Sequence, residues 1–258
     1  FSERQAEALI KLYEAAERDI LIEVNKGLAK GNNVKYLQTM LRNVQAVLAD
    51  LRAGSRTWCD TALIKVMKEA ASNVDKQLGL TGKFGQLHQR AAAVLAENAF
   101  GRFEDVTTLV GRRVKDIYRE MALEVIRGST LGYKSWQATA RRYRDELAKR
   151  GITGFVDRTG NEWDMRTYCQ MVARTTTMEA HLEGTRNRLL EHGYDLIKVS
   201  SHSTPCPKCK PWQGAILSLS GKTKGYPTLE DAKRSGLFHP NCKHAYSVAP
   251  LSILTKDK

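Results

Sequence analysis

No stretch of about 18 consecutive apolar residues occurs in the sequence, so a simple membrane-spanning helix is not expected. Proline is scarce, six residues in 258, and positions 86–127 contain none, so nothing there forces a helix to stop. Cysteine is too sparse for a secreted disulfide scaffold, and the five present are an odd number. Acidic residues are in deficit, 28 against 41 Lys and Arg. What remains is 42% hydrophobic residues and a mildly negative mean hydropathy, the profile of a soluble globular protein rather than a disordered or membrane one. The length suits one large domain or two modest ones, with a real core in either case. Positions 1–28 mix charges through an amphipathic pattern, unlike a signal peptide. Phe1 in place of a start Met leads to the expectation of a processed or trimmed chain.

The formal net charge is +13, and it is unevenly spread. Positions 198–258 carry ten Lys or Arg against three Asp or Glu. Such a surplus favours a polyanion, most often nucleic acid, through counterion release. The competing reading is a solubilising face with no partner.

The first half reads as long helices. Leu9, Tyr13, Ala16, Ile20, Val24 and Leu28 step by three or four and share one helical face. Gly31-Asn32-Asn33 breaks that pattern. Leu37, Leu41, Val44, Leu48 and Leu51 then follow a 4-3-4-3 spacing, the seam of a helix packed along its length. Gly54-Ser55 predicts a turn, with another helix over 57–78. After a loop at 79–85 the longest pattern begins, with Leu87, Ala91, Val94, Ala99, Phe103, Val106, Val110, Val114, Ile117, Met121 and Val125 assigned to one buried face. Gly101 and Gly111 weaken this helix locally.

From Gly128 the texture changes. A short basic helix is expected over 135–150, stopped by Gly151. A small hairpin follows, with strands at 154–157 and 161–163 around Arg158-Thr-Gly160. Asp164 caps a helix running to about His192 and ended by Gly193. Strands at 196–200, 215–219 and 245–248 and a helix at 228–235 complete the chain. The predicted fold is mainly α with a small α+β C-terminal domain: an elongated helical domain over 1–128 and a zinc-binding domain over 129–258.

The chemistry-bearing text is Cys206-Pro-Lys-Cys209 and His239-Pro-Asn-Cys242. Two residues between each pair let a tight turn aim both side chains at one point. Together the two knuckles supply four donors suited to a closed tetrahedral Zn²⁺ site. Pro205, Pro207 and Pro240 stiffen the knuckles. The competing reading is a set of packed loop residues without metal. His202 and His244 flank the knuckles and compete for ligation, or serve as structural histidines. A ligand surplus favours a structural site over a catalytic one, which would keep a position open. Cys59 and Cys169 lie alone in helical patterns as buried thiols. Arg174 is read as tying its helix to a neighbouring loop, with phosphate binding as the alternative. His88, His181 and His192 carry no partner pattern. No nucleotide-binding glycine run, G-x-S-x-G or H-E-x-x-H occurs.

Over about 154–250 the sequence resembles the phage minor capsid protein 2 family and the related Mu- and SPP1-type minor head proteins. The residues that carry the likeness are Phe155-Val-Asp-Arg-Thr-Gly160, Tyr168, Ala173-Arg174-Thr175-Thr176, Val199-Ser-Ser-His202, Trp212-Gln213-Gly214 and Asn241-Cys242-Lys243-His244. Where family members often carry an Arg and a His, this chain has Cys206 and Cys209, closer to the Mu-like ending. The helical half offers only a general likeness. The resemblance implies a non-enzymatic virion component inside the head near the portal, made in the host cytoplasm. Its implied partners are the portal protein, other head proteins and packaged double-stranded DNA contacted without sequence preference, with multiple copies per particle. A different class remains open, a metal-dependent nuclease using His202, His244 and Asn241. Against it, no Asp/Glu pair lies near the cluster to hold a catalytic Mg²⁺. An effector domain with transferase chemistry is a third reading.

Overall fold

A computed structural model describes residues 2–30, 33–131, 135–150, 154–157 and 159–254. Gly31, Asn32, Gly151, Arg158, Lys256 and Lys258, which figure in the sequence reading, lie outside the described residues. The chain is mostly helical with two small sheets, as expected. Its elements are α1 (Ser2–Ala29), α2 (Val34–Leu78), α3 (Gln86–Leu131), α4 (Ser135–Arg150), β1 (Phe155–Val156), β2 (Glu162–Trp163), α5 (Met165–Glu191), β3 (Leu196–Val199), β4 (Ile216–Ser218), α6 (Leu229–Arg234), β5 (Tyr246–Val248) and α7 (Leu251–Leu254). Gly128 falls within α3. The described residues form two compact units, each built from separated stretches of chain. None of the described helices is long and apolar enough to cross a membrane.

One unit holds residues 7–58 and 99–170 and is chiefly helical. The expected face of α1 is buried from Leu9 to Leu28, as are Leu37, Val44, Leu48 and Leu51 of α2. Tyr13 packs on Phe103 at 5.6 Å between ring centroids, and Trp58 meets the same ring edge-on at 6.1 Å. The turn expected at Gly54-Ser55 is absent, because α2 runs through it. Ser55 Oγ donates to the Leu51 carbonyl one turn back at 2.8 Å, which keeps a buried hydroxyl satisfied inside the helix. A Cβ on Gly54 would lie 2.6 Å from Leu12 Cδ2, so this glycine serves close packing rather than a turn. Glu120 accepts from Arg142 and Tyr143, tying α4 to α3. Burial first, and the Glu120 carboxylate second, push the Tyr143 phenol up to about 12.

The same unit contains the β1–β2 hairpin, paired Phe155 to Trp163. Asp157 organises its turn, accepting from the Thr159 hydroxyl at 2.7 Å, the Thr159 and Asn161 backbone N–H groups at 2.9 Å each, and the Trp163 indole N–H at 2.8 Å. These donors, the Thr159 hydroxyl foremost, hold its carboxyl well below the usual range. Asp164 then caps α5 by accepting from Thr167 N at 2.8 Å.

The other unit holds residues 1–6, 59–98 and 171–258. Its sheet is antiparallel in the order β4-β3-β5, with Ile197 opposite both Leu217 and Val248. Strand, helix and loop residues share one core, among them Val74, Leu182, Leu189, Ile197, Leu217, Leu229, Leu237 and Tyr246. The seam predicted for α3 slips in this unit: Leu87 is 55% and Val94 61% exposed, while His88, Ala92 and Ala96 are buried. Extending the 3-4 spacing backward from Phe103 and Ala99 leads to Ala96 and Ala92, and the larger side chains misdirect the register. A polar network also lies inside this unit. Arg188 bridges Asp75 and Glu191, His88 meets Glu191 at 3.2 Å, and His192 meets Asp75 at 3.3 Å. Arg188 also donates to the Lys83 carbonyl at 3.2 Å, fastening the loop between α2 and α3.

Candidate metal centre

β3 leads the chain from the sheet into the first knuckle. There the backbone N–H groups of Cys209 and Lys210 both donate to the Cys206 carbonyl, at 3.1 and 3.0 Å. A short 3₁₀ turn over Lys210–Trp212 closes it. The second knuckle closes the same way, with Cys242 N donating to the His239 carbonyl at 2.9 Å. Asn241 sits at φ +63, a left-handed conformation that asparagine tolerates better than most side chains. Below it, Phe238 packs edge-on against Tyr246, whose hydroxyl donates to the Leu182 carbonyl at 2.6 Å. Leu237, Phe238, Trp212, Cys206, Cys209 and Cys242 all belong to or pack on the core of this unit. Both knuckles are therefore anchored by buried side chains.

The fold divides the four sequence-predicted residues, with His244, between two overlapping groups. Cys206, Cys209 and His239 form one group of metal-capable donor atoms, and Cys209, Cys242 and His244 a second that shares Cys209. Within each group the donor atoms lie no more than 4.8 Å apart. Cys209 Sγ is 3.6 Å from Cys242 Sγ, and Cys206 Sγ is 3.1 Å from His239 Nε2. A tetrahedral Zn²⁺ with Zn–S of about 2.3 Å and Zn–N of about 2.0 Å has S···S edges near 3.8 Å and S···N edges near 3.5 Å. These two pairs sit near such edges, and each three-donor group could take up a small thiophilic cation.

The thiols are not equivalent. The Cys209 backbone N–H, followed by the His239 ring, lowers the Cys206 thiol to about 7. Burial raises the Cys209 thiol to about 12, with the neighbouring cysteines adding to the shift. His244 is held below the ordinary histidine value, by burial first and then by His202 and His239.

His202 is exposed and lies outside both donor groups; its ring meets that of His244 edge-on at 4.5 Å, and its Nε2 is 3.3 Å from Ser200 Oγ. Arg174 is exposed. The tie from α5 to the second knuckle comes from its neighbour, as Thr175 Oγ accepts from Asn241 N at 3.5 Å. Cys59 and Cys169 are buried thiols, and desolvation raises the Cys169 thiol. Lys198, Lys208, Lys210, Lys222, Lys224, Lys233, Arg234 and Lys243 are all exposed.

Sequence reasoning missed Asp195 and His88. Asp195 accepts from Ser218 Oγ at 2.6 Å, Ser220 N at 2.7 Å and Thr223 Oγ at 2.7 Å, which fixes the loop bearing Lys222 and Lys224. Burial alone would raise its carboxyl, but those hydrogen bonds outweigh it and bring it down to about 2. The Ser-rich stretch over 218–223 was the available signal.

The phage minor capsid protein 2 family matches residues 2–249, so the likeness expected over the last part of the chain extends through the helical half. No curated protein and no solved structure matches the chain.

Proposed function

We propose, from the premise that this chain belongs to the phage minor capsid protein 2 family and is thus a component of the virion, that it sits inside the head near the portal vertex. There it acts in head assembly and in DNA packaging or ejection, in several copies per particle, with the portal and other head proteins as neighbours. The observation that carries this reading is a family match spanning almost the whole chain. The exposed lysines over 198–243 support a contact with packaged double-stranded DNA, since side chains of this kind follow a phosphate backbone without reading bases.

The role is structural rather than catalytic in this reading, and the Cys/His cluster is a zinc staple formed by Cys206, Cys209, His239 and Cys242. Zinc binding would then be part of the folding free energy of its unit. Its support is the pair of local knuckles, two of whose cross-knuckle donor pairs are spaced near the edges of a zinc tetrahedron. Elemental analysis of the purified chain should find about one zinc per chain, lost in a Cys206→Ser/Cys209→Ser variant.

A reconstruction of the assembled particle tests the placement. Density for this chain on the inner side of the head at the portal vertex is the expected result. Density on the outer capsid surface, or a chain found only free in the host cytoplasm, sinks it. Incubation with DNA and Mg²⁺ or Mn²⁺ should leave the DNA whole. Cleavage that is lost on His202→Ala or His244→Ala would replace the structural role with a nuclease.

A further inference from the structure

The two histidines of the cluster, His239 and His244, each lie against a cysteine sulfur, and a closed site with three thiolates needs only one of them. We infer that His239 is the fourth donor, through Nε2, and that His244 is a positioning residue whose Nδ1–H donates a hydrogen bond to the Cys242 thiolate. This assignment rests on the zinc reading above.

The position of each ring's proton decides which of its nitrogens can bind a metal. A neutral imidazole carries one N–H and one lone pair, and only the nitrogen with the lone pair can bind a metal. His239 Nδ1 lies 2.7 Å from the Pro240 carbonyl oxygen, which can only accept. The proton therefore belongs on Nδ1, and the lone pair on Nε2 faces the cluster, 3.1 Å from Cys206 Sγ. A backbone carbonyl fixing the tautomer of a ligating histidine is a general feature of metal sites.

His244 has the opposite problem. Its side chain is buried, 3% exposed, and its Nε2 has no hydrogen-bond partner among the described residues. Were Nδ1 to bind the metal, the proton would move to Nε2 and become a buried N–H with no acceptor. Folded proteins avoid that more strictly than an unpaired lone pair. With the proton on Nδ1 instead, it points at Cys242 Sγ, 3.6 Å away. The backbone N–H of His244 donates to the same sulfur at 3.4 Å. Cys242 thus receives two N–H donors from one residue. Three thiolates and a neutral imidazole leave a Zn²⁺ complex with one net negative charge, and these donors draw part of it off Cys242. The thiolate becomes a poorer base and a poorer nucleophile while it remains a ligand.

The full-length chain loaded with Zn²⁺, or with Co²⁺ for its absorption spectrum, provides the test. Long-range proton–nitrogen NMR of the zinc-loaded wild type should show both His239 and His244 protonated on Nδ1. His239→Ala should change the Co²⁺ spectrum to that of a site lacking its nitrogen donor. His244→Ala should keep the wild-type spectrum but bind Zn²⁺ about 10–100-fold more weakly, the usual cost of losing a hydrogen bond to a ligand. Its Cys242 should also alkylate faster. His244→Asn, whose amide places an N–H near the Nδ1 position, should recover most of the affinity. A proton on Nε2 of His244, or a nitrogen donor lost from the spectrum on His244→Ala but kept on His239→Ala, overturns the assignment and leaves the zinc reading standing. A wild-type chain that takes up neither ion overturns the zinc reading and this assignment with it.

Discussion

Asp195 shows how one side chain can hold a functional loop in shape. Its carboxylate gathers donors from Ser218, Ser220 and Thr223, 23 to 28 residues further along the chain. With its folded value near 2 and an unfolded value of about 3.9, Asp195 binds its proton less readily in the folded state. It therefore adds stability above about pH 4, and that contribution drains away as the pH falls through about 2. Denaturant titration of wild type and Asp195→Asn should show a gap of about 1–3 kcal/mol at pH 7 that narrows at pH 3 and closes near pH 2. A gap independent of pH would mean that the charge is not what organises the loop. The sequence concealed this role because every donor lies far from Asp195 along the chain. The four knuckle residues were legible for the opposite reason, since each pair is separated by two residues and its spacing fixes its geometry. His88 was hidden too: its carboxylate partner, Glu191, is 103 positions away.

At the scale of elements, hydrophobic period and capping residues placed nearly every helix and strand. The failures came where a local signal had two physical meanings. Gly54-Ser55 reads as a turn, yet glycine also permits close helix packing, and only the partner, Leu12, decides between the two. In α3 the large residues Leu87 and Val94 outvoted the alanines that face the core. Two glycines separate these meanings by experiment. A Cβ on Gly184 of α5 would stand 2.7 Å from the Met67 carbonyl oxygen, whereas one on Gly101 of α3 would meet nothing within 4 Å. Alanine is the better helix former by about 1 kcal/mol. Gly101→Ala should therefore raise stability by about 0.5–1 kcal/mol. Gly184→Ala should lower it by about 1–3 kcal/mol, because backbone must move to admit the methyl group. Thermal denaturation of the two variants reads both signs, and a stabilised Gly184→Ala would show that α5 and α2 can separate freely.

Across the whole molecule, charge and metal lead to separate expectations. Replacing Lys208, Lys210, Lys222 and Lys224 with Ala should flatten the salt dependence of DNA binding by roughly one phosphate contact per lysine lost. Binding measured from 50 to 200 mM salt with two unrelated duplexes decides it. Affinity that ignores salt, or that survives the four changes intact, would make this a solvated face. Under the zinc reading, a chelator should speed amide exchange first in β3, β4, β5 and α6 and leave the core around Tyr13, Trp58 and Phe103 protected. Uniform loss of protection, or none, would count against a local staple.

The unit that carries the cluster is assembled from residues 1–6, 59–98 and 171–258, and this has a consequence in time. A chain leaves the ribosome from its N-terminus at about 5–20 residues per second. The stretches at 7–58 and 99–170 are both available to each other once residue 170 has emerged. Val74, by contrast, shares a core with Leu182, Ile197, Leu217 and Tyr246, all of which emerge long after it. During that interval the segment of α2 around Val74 lacks these core partners. A nascent chain halted before residue 171 should therefore recruit a chaperone at this segment, and release it once the C-terminal stretch arrives.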